Sequence, residues 1–125
     1  MFILIHFQKV NMKFSDIVQN IAATVVYKSS AFDSGNVQSV IVSDLMSDVL
    51  TMERPFPLIV SSLSSDQTLR TASMVDAAGV VIAQNKLVPP AMAKLAEELD
   101  LTLLHTPLAK FEACVLLGKL LEEDK

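Results

Sequence analysis

Residues 37–61, VQSVIVSDLMSDVLTMERPFPLIVS, place two apolar runs on either side of a segment with helical spacing. The runs, Val37–Val42 and Pro57–Ser61, are rich in β-branched residues, which favour strands. The segment between them carries apolar residues at helical intervals, namely Leu45, Met46, Val49 and Leu50. Strands that are apolar along their whole length, rather than at alternate positions, are typical of a parallel sheet covered on both faces. The stretch therefore predicts a β-α-β unit.

The same pattern continues towards the C-terminus. It predicts strands at Gly79–Ala83 and Thr102–His105, with a helix after each strand. Thr106 and Pro107 predict the start of the last helix, because threonine is a good N-cap and proline is tolerated at the first helical position. That helix is predicted to end near Leu121.

Towards the N-terminus, Lys13–Ala22 predicts a short helix and Thr24–Tyr27 a strand. Lys28–Asn36, KSSAFDSGN, predicts a loop, because serine, aspartate, glycine and asparagine favour turns. Apolar strands that alternate with helices indicate an α/β fold. We expect a three-layer α/β/α sandwich with a mainly parallel, Rossmann-like sheet and right-handed crossovers.

Residues 12–125 are predicted to form this single domain, and residues 1–11, MFILIHFQKVN, an N-terminal extension. The extension lacks a basic segment and a cleavage site, and its apolar run is too short to span a bilayer. Two interpretations stay open. It is an edge strand or arm added to the domain, or it lies upstream of the natural start at Met12. The sequence favours the second, because MKFSDIV is typical of a domain opening.

Composition excludes several functional classes. The 125 residues fit one domain, and 51% of them are hydrophobic, which argues against intrinsic disorder. The net charge of −4 disfavours a nucleic-acid partner bound by phosphate neutralisation. The three glycines are too far apart for a phosphate-binding glycine loop, and no zinc or serine-hydrolase motif is present. With one cysteine, Cys114, and no export signal, the expected compartment is the cytoplasm, without a membrane partner.

Ligands of open parallel sheets bind beyond the carboxyl ends of the strands, where helix N-termini also point free N–H groups. Four segments of this chain are predicted to meet there. The candidate ligand-binding residues in them are Ser43, Asp44, Ser61, Ser62, Gln84, Asn85, Lys86, His105 and Thr106. We assign no catalytic or metal-ligating residue and expect no resident cofactor. A nucleotide or a phosphorylated metabolite is the candidate ligand.

Each candidate has a structural interpretation beside the functional one, and the structural one is favoured. Asp44 and Asp48 are four residues apart, so on a helix they would share a face, as metal-binding or acid-base carboxylates do. Asp44, or the serine before it, could instead cap that helix. The serine run 61–66 could cradle an anion or form an ordinary turn. Lys86 could neutralise a phosphate or be solvated, and His105 could be an acid, base or donor, or be structural.

Three motifs carry a resemblance to a known family: MKFSDIV (12–18), SDLMSDVL (43–50) and PLIVSS (57–62). They resemble the stand-alone DRTGG-domain proteins, and the likeness extends over Met12–Leu121. It implies a fold similar to the N-terminal domain of HPr kinase/phosphorylase, a Rossmann-like sandwich without the kinase P-loop. Related domains accompany CBS domains in regulated pyrophosphatases and occur in phosphotransacetylases. The resemblance therefore implies a regulatory or dimer-forming role.

Two later stretches, GVVIAQNKLVPP (79–90) and LTLLHTPLAKFEAC (101–114), also resemble that family. They include one departure. The family tends to have glycines after the third strand, whereas this chain has Gln84, Asn85 and Lys86. If the glycines allow a ligand to approach the backbone closely, that approach is impaired here.

The resemblance and the lack of catalytic motifs favour a non-catalytic regulatory or ligand-sensing module that acts through a homodimer and an unidentified protein partner. One alternative is a structural subunit docked on a larger complex. The other is a small enzyme that uses Asp44, Lys86 and His105. Residues Ala113–Leu121 are apolar nearly all round, so we expect them to form the dimer surface unless the same chain covers them.

Overall fold

The computed structural model describes residues 2–6 and 12–123. The strands are β1 (Phe2–His6), β2 (Thr24–Tyr27), β3 (Ser39–Ser43), β4 (Pro57–Ser61), β5 (Gly79–Ile82) and β6 (Thr102–His105). The helices are α1 (Phe14–Asn20), α2 (Met46–Val49), α3 (Asp66–Met74), α4 (Pro90–Leu99) and α5 (Lys110–Glu123). Within the described residues, the six strands form one sheet in the order β1-β3-β4-β5-β6-β2.

The four central strands, β3 to β6, run parallel, which confirms the predicted α/β fold and its mainly parallel sheet. Every residue of these strands is buried except His105, which is half-buried. At the two edges, β1 runs antiparallel to β3 and β2 runs antiparallel to β6. The apolar runs therefore identify the central strands, while the direction of the edge strands depends on pairing between distant segments.

Neighbouring residues of each central strand point to opposite faces of the sheet. Ile41 and Ile59 pack on the face that α2, α3 and α4 cover. Val42 and Val60 pack on the other face, against α1 and α5. The strands β3, β4, β5 and β6 lie side by side in chain order. Because crossovers between parallel strands are right-handed, the three connecting helices lie on the same face of the sheet. The result is the predicted three-layer sandwich.

Phe14 anchors α1 to the sheet. Its side chain is fully buried, and its ring stacks on that of Phe32 with the centroids 5.3 Å apart. A Cβ atom on Gly79, the first residue of β5, would lie 3.0 Å from two atoms of the Phe14 ring and 3.1 Å from the carbonyl oxygen of Thr102. Gly79 therefore makes room for the aromatic ring.

The last helix begins later than predicted. It starts at Lys110, so the prediction that Thr106 is its N-cap is wrong. The Thr106 hydroxyl donates to the carbonyl of Ile21 at 2.6 Å and accepts the amide of Leu108 at 3.2 Å. These bonds tie the end of β6 to the end of α1, and the helix begins after the turn that follows.

Helix α5 buries much of its apolar surface within its own chain. Leu117, Leu120 and Leu121 pack in the core with α1 and the sheet. Phe111 and Val115 lie one turn apart and remain 71% and 39% exposed. The same chain therefore covers the three leucines, which the sequence predicts to lie in a possible dimer surface. The exposed apolar surface of α5 lies instead at Phe111 and Val115.

Part of the predicted N-terminal extension lies in the sheet, because residues 2–6 form the edge strand β1. Its register runs from Phe2 opposite Ser43 to His6 opposite Ser39. Residues 1 and 7–11 of the extension lie outside the described residues. The start at Met12 stays a prediction. In the described ranges, no helix combines the length and the apolar character needed to cross a bilayer.

Candidate functional site

The carboxyl ends of β3, β4, β5 and β6 meet at one edge of the sheet, here called the carboxyl edge. The register aligns Ser61 with Ile82, and Ile82 with His105. Thr24, the first residue of the antiparallel strand β2, pairs with His105 and so lies at the same edge. The candidate residues predicted from the sequence lie along this edge in two groups, one beside β3 and β4 and one beside β5 and β6.

The first group centres on the carboxylate of Asp44, which directly follows β3. Its Oδ1 accepts the Ser61 hydroxyl at 2.9 Å and the Ser62 amide at 2.7 Å. Its Oδ2 accepts the Ser62 hydroxyl at 2.7 Å and forms an ion pair with Nζ of Lys110. Four donors from β4, the loop after it and α5 thus converge on one carboxylate. We call Asp44, Ser61, Ser62 and Lys110 the Asp44 cluster.

Hydrogen bonding keeps Asp44 ionised. Partial burial acts to raise the pKa of this carboxyl, but the hydrogen bonds from Lys110, Ser62 and Ser61 outweigh it and hold the pKa well below its usual range. The side chains of Asp44 and Lys110 are 41% and 29% exposed, so solvent partly screens the ion pair. The cluster is therefore a charged structure that remains open to solvent.

Asp44 neither caps α2 nor shares a helical face with Asp48, so both of those interpretations are wrong. Helix α2 begins at Met46 and has no side-chain hydrogen bond at its N-cap, Leu45. The Asp44 side chain turns across the edge to β4 instead, because four donors there outweigh a single capping bond. The Ser43 hydroxyl accepts the Leu45 amide at 3.0 Å and shapes the turn before the helix.

The serine run after β4 forms a turn around this carboxylate. Ser61 Oγ accepts the amide of Leu63 at 3.0 Å while its own hydroxyl donates to Asp44. The Ser64 hydroxyl donates to the carbonyl of Leu87, which joins this turn to the loop after β5. The first two serines therefore bind an anion, but the anion is a side chain of the same protein.

The loop after β5 has a left-handed backbone conformation, which glycine adopts most easily, although its residues here are not glycines. Gln84 and Asn85 have positive φ angles of 61° and 54°. A left-handed residue other than glycine costs roughly 1–2 kcal/mol, somewhat less for asparagine. Their amides donate to the carbonyls of Leu108, at 2.7 Å, and Thr106, at 3.1 Å. These two backbone donors fix the loop to the segment before α5, so they are not free to bind a ligand.

Beside this loop lies a cleft of about 400 Å³, here called the Lys86 cleft. It opens between the loop before α4 and the edge strand β2. Its polar lining residues are Thr24, Asn85, Lys86 and His105, and its apolar ones are Val26, Leu87 and Val88. Ligand pockets typically enclose roughly 300–1,000 Å³, so the cleft has the size for a small molecule.

The structure brings together some predicted residues and not others. Asn85, Lys86 and His105 line the cleft, whereas Gln84 is not among its lining residues. Thr106 is fully buried at the same edge and uses its hydroxyl within the protein. The Lys86 cleft and the Asp44 cluster are therefore neighbouring features of one edge rather than a single pocket.

Lys110 and four lining residues of the cleft were not predicted from the sequence, namely Thr24, Val26, Leu87 and Val88. Lys110 had a usable signal, because the first turn of a helix that follows a parallel strand lies at the carboxyl edge, and the predicted start at Pro107 places Lys110 in that turn. Thr24 and Val26 had none, because the position of β2 beside β6 depends on an antiparallel pairing that TVVY does not reveal.

The opposite edge of the sheet carries a recess of about 270 Å³. Its described lining residues are uncharged and offer an anionic ligand no complementary charge: Ala31, Ser34, Asn36, Gln38, Phe56 and Ala78. Across residues 2–6 and 12–123, no group of three or more histidine, cysteine, aspartate or glutamate side chains is placed to hold a metal ion.

A scan against protein-family models finds no match for this chain, and a search of curated proteins finds none either. Among solved structures, the chain is similar to the CBS and DRTGG domains of the regulatory region of Clostridium perfringens pyrophosphatase, complexed with the activator diadenosine tetraphosphate. The TM-score is 0.66 at 13% identity. The likeness shows a shared α/β fold.

The match covers 87% of this chain and 47% of the pyrophosphatase chain, so this protein spans about half the length of that structure. At 13% identity the likeness transfers no site residue from one protein to the other. What the two share is the α/β fold.

Proposed function

We propose that this protein is a non-catalytic regulatory module that senses a nucleotide or a phosphorylated metabolite in the Lys86 cleft. The module would act in the cytoplasm, as a homodimer, on a partner protein. The Lys86 cleft carries this proposal, because it gathers one lysine and several polar side chains beside apolar walls at the edge where parallel α/β sheets bind ligands. The fold likeness to a regulatory region complexed with a nucleotide activator supports it, as do the DRTGG-like motifs.

The lining of the cleft suits a ligand with one charged and one apolar part. The Lys86 ammonium is a strong partner for a phosphate group, because a hydrogen bond between two charged groups is about twice as strong as a neutral one. Asn85 and His105 can donate or accept hydrogen bonds beside it. Val26 and Leu87 supply apolar walls for a base or another flat group. A nucleotide combines these features, and so do many phosphorylated metabolites.

The strand order argues against an enzyme that uses Asp44 with His105. Asp44 follows β3 and His105 ends β6, so three strand spacings, about 14 Å, separate the two backbones. General acid-base catalysis needs both groups within hydrogen-bond reach of one reacting centre. Asp44 also directs its carboxylate towards Ser61 and Ser62. The geometry therefore favours binding over catalysis.

Helix α5 offers a surface for the proposed homodimer. Phe111 and Val115 form an exposed apolar pair on its outer face. Small proteins commonly cover such residues by a two-fold contact between identical subunits. We propose that this pair, rather than the buried Leu117 and Leu120, lies at the dimer contact.

A thermal-shift screen with nucleoside phosphates and sugar phosphates tests the proposed function. We expect at least one compound to raise the melting temperature without being turned over. Lys86→Ala should weaken its binding about tenfold, as expected for the loss of one charge-assisted contact, and added salt should weaken binding to the wild type. Lys94→Ala, which removes an exposed lysine of α4 outside the cleft, is the matched control.

Three outcomes would contradict this function. If no compound binds, the structural-subunit alternative replaces it. If a bound compound is converted to product, the protein is an enzyme. If Lys86→Ala and Lys94→Ala affect binding equally, the ligand site lies outside the Lys86 cleft.

A further inference from the structure

The Asp44 cluster contains the donors that proteins use to bind phosphate. Two serine hydroxyls, one backbone amide and one ammonium point at a common centre, which the Asp44 carboxylate fills. Phosphate oxygens accept hydrogen bonds from the same kinds of group. We infer that Ser61, Ser62 and Lys110 form a phosphate-binding site that the Asp44 carboxylate occupies when no ligand is bound. The site is distinct from the Lys86 cleft.

Charge decides which anion the donors prefer. A phosphate monoester carries a charge of about −1.5 to −2 at neutral pH and three acceptor oxygens, against one charge and two oxygens for a carboxylate. A phosphate can therefore engage all four donors with more charge at their centre. Asp44 and Lys110 both reach solvent, so a ligand has access to the donors from the carboxyl edge.

The tether of Asp44 sets how easily it is displaced. A group attached by a short chain competes at an effective concentration in the millimolar range or above. Asp44 is such a group, since it directly follows β3. The wild-type protein should therefore bind free inorganic phosphate weakly. A ligand that makes further contacts, in the Lys86 cleft for instance, competes better.

Displacement of Asp44 would break a contact that holds the start of α5, next to the exposed Phe111. Lys110 is the first residue of α5 and directly precedes Phe111, and its contact with Asp44 joins that helix to the segment after β3. A phosphate on Lys110 replaces this connection between two parts of the chain. Ligand binding would thus be transmitted to the outer face of α5, where Phe111 is exposed.

Chemical rescue by inorganic phosphate tests the site without any assumption about the Lys86 cleft. Asp44→Ala removes the internal anion and leaves its four donors in place, so it should melt at a lower temperature than the wild type. Added phosphate, compared with sodium chloride at equal ionic strength, should restore much of that loss. It should bind Asp44→Ala about tenfold more tightly than the wild type. The Ser62 amide resonance should shift during the titration.

Two variants make the test specific. Asp48→Ala removes the same charge from α2 outside the cluster and should gain no response to phosphate. In Asp44→Ala, the further change Lys110→Ala should abolish the rescue. The inferred site is refuted if phosphate stabilises Asp44→Ala no more than Asp48→Ala, or if the Ser62 amide does not respond. Because rescue is measured as a gain in melting temperature, a destabilised Asp44→Ala protein still gives a result.

Discussion

Gly79→Ala adds a single methyl group at the start of β5 and should destabilise the protein. The new Cβ would lie 3.0 Å from two atoms of the Phe14 ring and 3.1 Å from the carbonyl oxygen of Thr102. Neither neighbour can retreat easily. The ring is buried and stacked on Phe32, and Thr102 pairs with Gly79 in the parallel ladder.

Two opposing effects determine the size of the change. Alanine restricts the unfolded chain more than glycine does, which stabilises by about 0.4–1 kcal/mol. Overpacking a tight core site typically costs about 1–3 kcal/mol. The clash should win, because the contacts are with a confined ring and a backbone atom. We expect a net loss of about 1–2 kcal/mol, which corresponds to a melting temperature lower by roughly 3–8 °C for a domain of this size.

Urea unfolding followed by far-UV circular dichroism measures this loss as a lower midpoint with an unchanged slope. A double-mutant cycle with Phe14→Leu identifies the cause, because removing the ring should reduce the cost of Gly79→Ala. If Gly79→Ala is as stable as the wild type, or if its cost is unchanged beside Phe14→Leu, the packing of α1 on β5 is not as described.

The remaining predictions concern charge, association and the thiol. Asp44→Asn should lower the unfolding free energy at neutral pH by about 1 kcal/mol, discounted for solvent exposure. Because the pKa of Asp44 is lower in the folded protein than in the unfolded chain, the stability difference between wild type and Asp44→Asn should be complete above about pH 4 and shrink as the pH falls further. Urea titrations over a series of pH values measure this difference, and a constant difference contradicts the cluster. Leu117→Glu should unfold the protein by burying a charge, whereas Phe111→Ser combined with Val115→Ser should keep the far-UV spectrum and dissociate the dimer. A wild-type species of 13.6 kDa in sedimentation equilibrium at micromolar concentration contradicts the dimer. Burial raises the pKa of the Cys114 thiol, so a disulfide reagent should label it slowly in the native protein and quickly in urea, and equal rates contradict its burial.

The central strands were predictable because their signal is local. Runs such as Val80–Ile82 are apolar on both sides of the strand, which only a sheet covered on both faces requires. The edges were less predictable. Strand β2 is exposed or half-buried and antiparallel, and its place depends on a partner about eighty residues away. Helix α2 was expected to begin near Ser43, but it starts at Met46 because the side chains before it are used elsewhere.

The position of the candidate site in the fold could be predicted from the sequence. The side-chain contacts within it could be predicted less well. Aligned strand ends put Ser61 and His105 on one edge, as parallel pairing requires. Which side chains meet across that edge depends on loop geometry. The turn of Asp44 towards β4 and its ion pair with Lys110 come from segments that are far apart in the sequence. Thr106 was predicted as a ligand-binding residue, but its hydroxyl donates to the carbonyl of Ile21 at the end of α1.

The central claim is that the protein senses an anionic small molecule at the carboxyl edge. A titration of the ¹⁵N-labelled wild-type protein with the compound that gives the largest thermal shift tests it most directly. We expect the largest amide shifts at Lys86 and His105, and little change at Ser34 and Asn36 in the recess at the opposite edge. The largest shifts at Ser34 and Asn36, with Lys86 and His105 unmoved, would contradict the account.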